Sequence, residues 1–310
     1  MSRIFDALQR AESETGNENS TFSVATELLR VAEEKIRLGN TEEKIPLGNT
    51  IEEQRPATVE SVETAPSASS DFLEHCPVLP IVIPQESRLV ALGKEGSLGA
   101  EKFRFLAVRL RQLRHSRPLK KILITSTIPQ EGKSTVAANL ACTLARRKQH
   151  KTLLLEGDLR RPTVSQRFGL GKVPGLCEWL SGETESRNIY RLESLGLWVL
   201  PAGTAPQNPL ELMQSGKLAQ LMDQLQGWFD WIVIDSPPVL PLADTSIWSR
   251  LSDGILLVTR KGTTEKQQLQ RGLEALEKSK LLGALVNSSE NAAHSDYYQR
   301  YSSSNGDRSE

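Results

Sequence analysis

The chain has 310 residues and carries 38 basic and 38 acidic side chains, so its formal net charge is zero. This length suits one large domain with additional segments, or two small domains. Hydrophobic residues make up 38% of the chain, which indicates that part of it lies outside any core, and no apolar run approaches the ~20 residues of a membrane-spanning helix.

Charge is divided unevenly along the chain. Residues 1–85 contain 15 Asp or Glu and 7 Lys or Arg, a net charge of −8, so residues 86–310 carry +8. An acidic leader that is poor in apolar residues, followed by a basic folded domain, is the predicted division. The basic surplus suits a nucleotide site, an anionic partner or a solvated surface.

The cysteines indicate a reducing compartment. Cys76, Cys142 and Cys177 are widely spaced, and no pair has the spacing of a zinc site. We therefore expect reduced thiols and a cytoplasmic protein. The first residues, Met1 to Asp6, lack the apolar region of a secretory signal peptide, which favours the same compartment.

The leader, residues 1–85, is predicted to be largely disordered with short helices. Residues 2–12 and 24–36 have apolar side chains at helical spacing. Residues 33–41 are nearly repeated as residues 42–50, and residues 55–70 are rich in Ser, Thr, Pro, Ala and Glu, as is typical of linkers. Helices this short are marginal alone, so they either dock to a partner or have no separate function.

From residue 86 the pattern changes to an alternation of apolar strands and helices. Such strands, separated by helices, predict an α/β domain over residues 86–288, with a mostly parallel sheet covered by helices on both faces. Residues 289–310 are predicted to form a flexible tail. The predicted strands lie at residues 121–126, 152–155, 197–200, 231–234, 254–258 and 282–286, and the first helix at residues 133–147.

The first strand leads into a phosphate-binding loop. Gly132 would let backbone amides close on a phosphate, Lys133 would reach the outer phosphates, and Ser134 would offer its hydroxyl to Mg²⁺. Thr127 replaces the usual first glycine, but strand, loop and helix follow in the required order. The domain is therefore predicted to be a P-loop NTPase of the MinD/ParA kind. The predicted ATP-binding residues are Thr127, Ile128, Pro129, Gln130, Glu131, Gly132, Lys133, Ser134 and Thr135.

Acidic residues follow two further strands. Asp235 ends the fourth predicted strand, at the place of a Walker B carboxylate that holds Mg²⁺. Glu156, Asp158 and Arg160 follow the second strand. Ligands of such sheets bind at the carboxyl ends of the strands, so these side chains are predicted to converge on the phosphate site. Ser134, Asp158 and Asp235 are the predicted metal-binding residues.

Three of the four tyrosines, Tyr297, Tyr298 and Tyr301, lie in the last fourteen residues. Disordered segments are usually poor in aromatic residues, so this concentration favours a substrate segment over an inert terminus. An ATP site followed by a tyrosine-rich tail predicts a kinase that phosphorylates its own tail.

As a set, the motifs resemble those of the bacterial tyrosine kinases, or BY-kinases, of the CpsD/CapB type, which serve capsule and exopolysaccharide synthesis. The resemblance covers roughly residues 86–301. In chain order the matching motifs lie at residues 124–135, 153–162, 206–212, 229–239 and 253–258, followed by the tyrosine tail.

The resemblance implies a non-specific protein-tyrosine kinase that uses ATP and Mg²⁺ and phosphorylates its tail in trans within a ring-like homo-oligomer. It implies a role in regulating polysaccharide synthesis and export, with a cognate phosphotyrosine phosphatase as a further partner. A membrane-spanning polysaccharide co-polymerase would activate the kinase from the cytosol and recruit it to the inner face of the plasma membrane. No nucleic-acid partner is expected.

Two positions depart from the family pattern. Glu156 stands where the family has an aspartate, and a side chain longer by one methylene changes the position of the carboxylate. The family's oligomerisation motif, Glu-x-x-Arg-x-x-Arg, reads Glu101, Arg104 and Ala107, so its second arginine is missing. The first departure affects catalysis and the second affects assembly.

In the expected mechanism Lys133 holds the phosphates, either Glu156 or Asp158 accepts the tyrosine proton, and Arg160 neutralises charge on the phosphoryl group. Two alternative functions are a MinD/ParA-like regulatory ATPase and a catalytically weak pseudokinase scaffold of the same pathway. Ile128 argues against the ATPase, since those proteins typically have a signature lysine at that position. The scaffold is favoured by Glu156 and by the altered oligomerisation motif.

Overall fold

The computed structural model describes residues 72–93, 97–147, 149–184, 188–240 and 243–287. The predicted leader helices, the repeat and the three tail tyrosines lie outside these residues. The α-helices are α1 (Leu98–Ser116), α2 (Lys133–Ala145), α3 (Val164–Phe168), α4 (Leu176–Ser181), α5 (Pro209–Gln214), α6 (Lys217–Trp228), α7 (Asp244–Leu251) and α8 (Lys266–Glu274). Short 3-10 helices span Gln85–Ser87, Val90–Leu92 and Glu193–Leu195. The strands are β1 (Lys121–Ser126), β2 (Thr152–Glu156), β3 (Tyr190–Leu192), β4 (Leu197–Leu200), β5 (Trp231–Asp235), β6 (Gly254–Arg260) and β7 (Leu281–Asn287).

The strands form a seven-stranded sheet in the order β3-β4-β2-β5-β1-β6-β7. Neighbouring strands are parallel except β3 and β4, which confirms the predicted mostly parallel sheet. All the predicted strands are present, and the edge strand β3 is an addition to them. In the sheet register Asp235 lies beside both Ile124 and Glu156, so the ends of β1, β2 and β5 meet at one edge.

Alternate residues of the central strands face two separate cores. In β5, Trp231 and Val233 belong to one core cluster, whereas Ile232 and Ile234 belong to the other. Helices α1, α2 and α3 contribute buried side chains to the first cluster, and α4, α5, α6 and α7 contribute to the second. Helices therefore cover both faces of the sheet, as the sequence predicts.

Part of the segment assigned to the leader packs against this domain. Leu73 and Cys76 are buried in the second core cluster. Further along, Leu79 donates its backbone N–H to the carbonyl of Arg191 in β3 over 3.1 Å. The packed core therefore includes residues before position 86, because a short apolar stretch follows the Ser-rich linker and its burial is hidden in the acidic average of residues 1–85.

Two expectations drawn from composition can be compared with the described residues. Cys76, Cys142 and Cys177 are all buried, and no disulfide joins any two cysteines of the described residues. Within the described ranges, no helix has both the length and the apolar character that crossing a membrane requires.

Candidate active site

The phosphate-binding loop ends at Gly132, which adopts a left-handed conformation with φ of 92° and directly precedes α2. Glycine is favoured in this region because it has no Cβ. No side chain caps the N-terminus of α2, so backbone N–H groups of its first turn are available to an anion. This is the arrangement that binds a nucleotide phosphate.

Lys133, the first residue of α2, lies between two carboxylates at neighbouring strand ends. Its Nζ is 2.7 Å from Oδ2 of Asp158 and 4.0 Å from Oδ1 of Asp235. Burial lowers the pKa of Lys133, but Asp235 and Asp158 act in the opposite direction, and the net effect is a raised pKa. Asp158 and Asp235 lie 25 and 102 residues after Lys133 in the sequence. They meet its protonated amine because the strands that they follow are neighbours in a parallel sheet.

Asp235 is 1% exposed, and both of its carboxylate oxygens are buried without a hydrogen-bond partner among the described residues. Burial raises the pKa of Asp235, and the Lys133 ammonium opposes this rise. Buried carboxylate oxygens without partners are costly unless an ion completes the site. These oxygens, with the adjacent Ser134 hydroxyl, fit a Mg²⁺ ion.

The described residues contain no cluster of three or more His, Cys, Asp or Glu that could hold a metal unaided. Proteins usually bind Mg²⁺ through one or two carboxylates together with substrate phosphates and water. The donor set Ser134, Asp158 and Asp235 therefore suits Mg²⁺ that is bound together with a nucleotide.

Glu156 has a different environment from Asp158. It is fully buried, and its Oε1 accepts hydrogen bonds from the backbone N–H groups of Thr163 and of Val164, the latter over 2.6 Å. Its Oε2 accepts from the N–H of Ala202 over 3.0 Å. Burial raises the pKa of Glu156 to about 7, although these backbone hydrogen bonds act in the opposite direction. Both oxygens thus bind the protein's own backbone at the start of α3 and after β4.

The residue between these two carboxylates must be small. A Cβ on Gly157 would lie 2.6 Å from Cε2 of Trp248, whose indole Nε1 donates to the Gly157 carbonyl over 3.0 Å. Trp248 is fully buried in α7. This contact fixes the backbone of Gly157 and thereby the position of Asp158, the next residue.

Glu156 leads to a prediction about pH. Its folded pKa of about 7 lies above the usual 4.5, so the folded protein keeps this proton to higher pH than the unfolded chain. The free energy of unfolding should therefore fall by up to about 3 kcal/mol as the pH rises through this interval. In Glu156→Gln that part of the pH dependence should vanish, as measured by urea denaturation from pH 5 to pH 8.

Glu178→Gln is the matched control for this experiment. Glu178 is also buried and accepts backbone hydrogen bonds from Gly175 and Thr204. Burial raises its pKa, but these hydrogen bonds outweigh the burial and the pKa is lowered, so its contribution is lost only in more acidic solution. Parallel pH profiles for the wild type and Glu156→Gln would contradict the prediction.

Arg160 is held by an acidic residue that sequence reasoning missed. Its Nε and Nη2 lie 2.7 Å and 3.2 Å from the two carboxylate oxygens of Asp244, in the first turn of α7. The Asp244 side chain is 3% exposed, whereas that of Arg160 is 38% exposed. Two hydrogen bonds of this kind fix the orientation of the guanidinium, which lies at the rim of the site. The only sequence signal for Asp244 is an acid at the start of a helix.

The sequence did not predict the environment of Thr127 or the position of Arg167 near the site. Thr127 is fully buried, and a Cβ on Gly272 of α8 would lie 3.0 Å from its methyl group, so this side chain packs towards α8. Arg167, in α3, was not among the predicted site residues. It donates to the Ser87 carbonyl over 3.2 Å, its Nε is buried without a partner among the described residues, and its charge acts on the pKa of Asp235.

A mostly parallel sheet with a phosphate-binding loop after its central strand β1, and with carboxylates at the ends of β2 and β5, defines a P-loop NTPase fold. Proteins of similar sequence show which kind of P-loop protein this chain is. The chain is 36% identical over 215 residues to the tyrosine-protein kinase YwqD of Bacillus subtilis, covering 68% of this chain and 90% of that protein. It is 34% identical over 220 residues to the putative tyrosine-protein kinase CapB of Staphylococcus aureus, covering 69% and 95%.

Two solved structures are similar to this chain in both fold and sequence. The kinase domain of the Escherichia coli tyrosine kinase ETK matches with a TM-score of 0.63 and 25% identity, over 73% of this chain and 95% of that chain. The chimerical protein CapA2B2 matches with a TM-score of 0.62 and 31% identity, over 73% and 100%. No protein-family model matches the chain. The chain belongs to the family of bacterial tyrosine-protein kinases of the CpsD/CapB type, which confirms the expected family.

Proposed function

We propose that this protein is an ATP-dependent autokinase that phosphorylates Tyr297, Tyr298 and Tyr301 and thereby regulates exopolysaccharide or capsule synthesis and export. The observation that carries the proposal is the position of Lys133 between Asp158 and Asp235. Lys133 is the first residue of a helix whose N-terminus no side chain caps. Phosphoryl transfer requires mainly positioning and charge stabilisation, which such a group of residues supplies. The family relationship supports the same activity.

The roles of the residues follow from their environments. The loop of residues 127–135 would hold the phosphates through the Lys133 ammonium and through backbone N–H groups, apart from Ile128, whose N–H binds Glu131, and Pro129, which has none. Ser134, Asp158 and Asp235 would hold Mg²⁺. Mg-ATP would supply the transferable phosphoryl group and part of the charge neutralisation. Arg160, oriented by Asp244, would lie where it can stabilise negative charge at the rim of the site.

Asp158 is the better candidate for the proton acceptor. Its Oδ2 contacts Lys133 and its Oδ1 accepts from the N–H of Arg161 over 3.1 Å, so one backbone N–H group binds this carboxylate. Both oxygens of Glu156 are instead bound by three backbone N–H groups. We therefore assign Glu156 a positioning role, in which it fixes the start of α3 and the segment after β4.

The last described residue before the tail lies beside the site. Asn287, the last residue of β7, donates its side-chain N–H to the Glu131 carbonyl of the phosphate-binding loop over 2.9 Å. Tyr301 lies 14 residues further along the chain, and a flexible segment of that length has a root-mean-square span of about 20 Å. Such a tail can reach its own site or that of a neighbouring copy, so its length is compatible with phosphorylation in cis and in trans.

A homo-oligomer is part of the proposal. Phe105 and Val108 of α1 are 68% and 42% exposed, which gives this helix an apolar outer face. Glu101 and Arg104 form an ion pair within the same helix. Ala107, at the position of the missing second arginine, is fully buried, so the contact between copies would depend on Phe105 and its neighbours.

The remaining partners rest on the family relationship alone. They are a membrane-spanning polysaccharide co-polymerase, which would activate the kinase and recruit it to the inner face of the plasma membrane, and a phosphotyrosine phosphatase. The division into leader, kinase domain over residues 86–288 and tail over residues 289–310 belongs to the same proposal, with Leu73 and Cys76 at the end of the leader packed into the core of the domain.

Intact-protein mass spectrometry with site mapping tests the autokinase. Dephosphorylated protein is incubated with Mg-ATP, next to a Tyr297→Phe/Tyr298→Phe/Tyr301→Phe variant and a Lys133→Met control for contaminating kinases. Phosphate on the tail of the wild type alone is the expected result. Absence of incorporation, also with a co-polymerase's cytosolic segment added, would favour the pseudokinase scaffold.

A further inference from the structure

Glu131 is an acidic residue inside a loop that binds an anion, which is electrostatically unfavourable unless its charge is directed away from the phosphates. The side chain is fully buried. Its Oε2 accepts a hydrogen bond from the backbone N–H of Ile128, three residues earlier, over 2.7 Å. The carboxylate therefore folds back and closes the loop on itself.

The other oxygen connects the loop to the neighbouring strand and its following turn. Oε1 of Glu131 accepts from the backbone N–H of Arg260, the last residue of β6, over 3.2 Å. It also accepts from the hydroxyl of Thr264, which lies just before α8. A buried carboxylate with several donors is a strong and directional contact.

The main chain of Glu131 is held as well. Its carbonyl accepts from Nδ2 of Asn287 over 2.9 Å, and a Cβ on Gly132 would lie 2.2 Å from the same nitrogen. Asn287 thus packs against the loop at the residue where glycine's left-handed conformation is required. We call the contacts of Glu131 with Ile128, Arg260, Thr264 and Asn287 the Glu131 clamp.

We propose that Glu131 is a positioning residue whose clamp holds the loop in its phosphate-binding conformation and links the nucleotide site to Asn287, the last described residue before the tyrosine tail. The Glu131 carboxylate itself touches no phosphate in this role. It acts through Thr264 and Asn287, two residues outside the loop motif. The link to the tail rests on the proposed function, whereas the effect on nucleotide affinity does not.

Thr264→Val tests the clamp without removing the buried charge. It deletes one donor to the carboxylate and nearly preserves side-chain volume, and Thr264→Ser restores the hydroxyl. The dissociation constant of a fluorescent, non-hydrolysable ATP analogue, measured with Mg²⁺ present, should rise about tenfold in Thr264→Val and return to near the wild-type value in Thr264→Ser. Thr263→Val, the same change at the exposed neighbouring residue, should leave it unchanged.

Asn287→Leu tests the other arm of the clamp. It removes the amide that contacts Glu131 and should also weaken analogue binding about tenfold. If both arms act on the same loop conformation, the double variant with Thr264→Val should lose less than the product of the two single effects. Phosphorylation of the tail, measured at saturating ATP, should fall in Asn287→Leu more than in Thr264→Val, because only Asn287 joins the tail to the loop.

The outcomes separate the clamp from the proposed function. Unchanged analogue affinity in both single variants, at unchanged unfolding temperature, would overturn the clamp. An equal loss in Thr264→Val and Thr264→Ser would also overturn it, since packing rather than the hydroxyl would then be responsible. If the two variants bind the analogue more weakly, as expected, but the wild-type protein never phosphorylates its tail, the result would support the clamp and contradict the autokinase.

Discussion

Lys133→Met should abolish phosphoryl transfer and also destabilise the fold. The lysine is the cation that the site places within 2.7 Å of Asp158 and 4.0 Å of Asp235. Its removal should lower transfer by about 10³-fold, as with other preorganised charge-stabilising groups. Two buried carboxylates would also be left without their cation, which typically costs about 3–5 kcal/mol of unfolding free energy.

Initial rates of tail phosphorylation and urea denaturation in nucleotide-free buffer measure the two effects. Lys278→Met is the matched control, because Lys278 is exposed at the opposite edge of the sheet, just before β7. It should change neither quantity appreciably. A Lys133→Met protein that unfolds at the wild-type urea concentration would show that the buried pair contributes little, even if transfer is lost.

The sheet could be predicted because its strands are nearly continuous apolar runs. Leu153 to Leu155 and Ile232 to Ile234 are fully buried between two layers of helices, and such runs are readable without any partner. Strand β3 could not be predicted, since it has three residues, one of them Arg191, and is held by β4 on one side and by a single bridge to Val78 on the other. Its existence depends on these pairings and not on its own pattern.

The candidate site shows the same division. Lys133, Asp158 and Asp235 lie together because each follows a strand of a parallel sheet, and this convergence follows from sequence order and topology. The partners of Glu156 and Arg160 do not follow from sequence. Ala202 and Asp244 are 46 and 84 residues away from them, and backbone donors leave no trace in residue identity.

Glu131 illustrates why motif matching gave an incomplete account of the loop. The motif places it among nucleotide-binding residues, but its carboxylate is turned into the protein. Its contacts come from β6 and β7, about 130 and 156 residues later in the chain. Only the packed structure can distinguish a residue that binds phosphate from one that shapes the loop.

Asp235→Asn should have the opposite effect on stability from Lys133→Met, with the same loss of activity. Both Asp235 oxygens are buried without hydrogen-bond partners among the described residues, and burial raises the pKa of this group. The neutral amide has nearly the same shape and lower desolvation cost, and Lys133 keeps its closer partner Asp158. The nucleotide-free variant should therefore be about 1–3 kcal/mol more stable near neutral pH, where the wild-type carboxylate has to be charged.

The same substitution removes a negative ligand from the proposed Mg²⁺ site, so transfer should fall by about 10²- to 10³-fold. Asp253→Asn is the matched control at the other end of the sheet. Its carboxylate accepts from the N–H groups of Lys120 and Lys121 over 2.9 Å and 2.8 Å, so this variant should lose stability and keep transfer. Urea denaturation with and without Mg-ADP separates the cases: added Mg-ADP should stabilise the wild type more than Asp235→Asn. Lower stability of Asp235→Asn than of the wild type in nucleotide-free buffer would contradict the prediction. It would mean that the contact with Lys133 stabilises the fold by more than the burial of the Asp235 charge destabilises it. Asp235 would then act mainly as the partner of a structural ion pair.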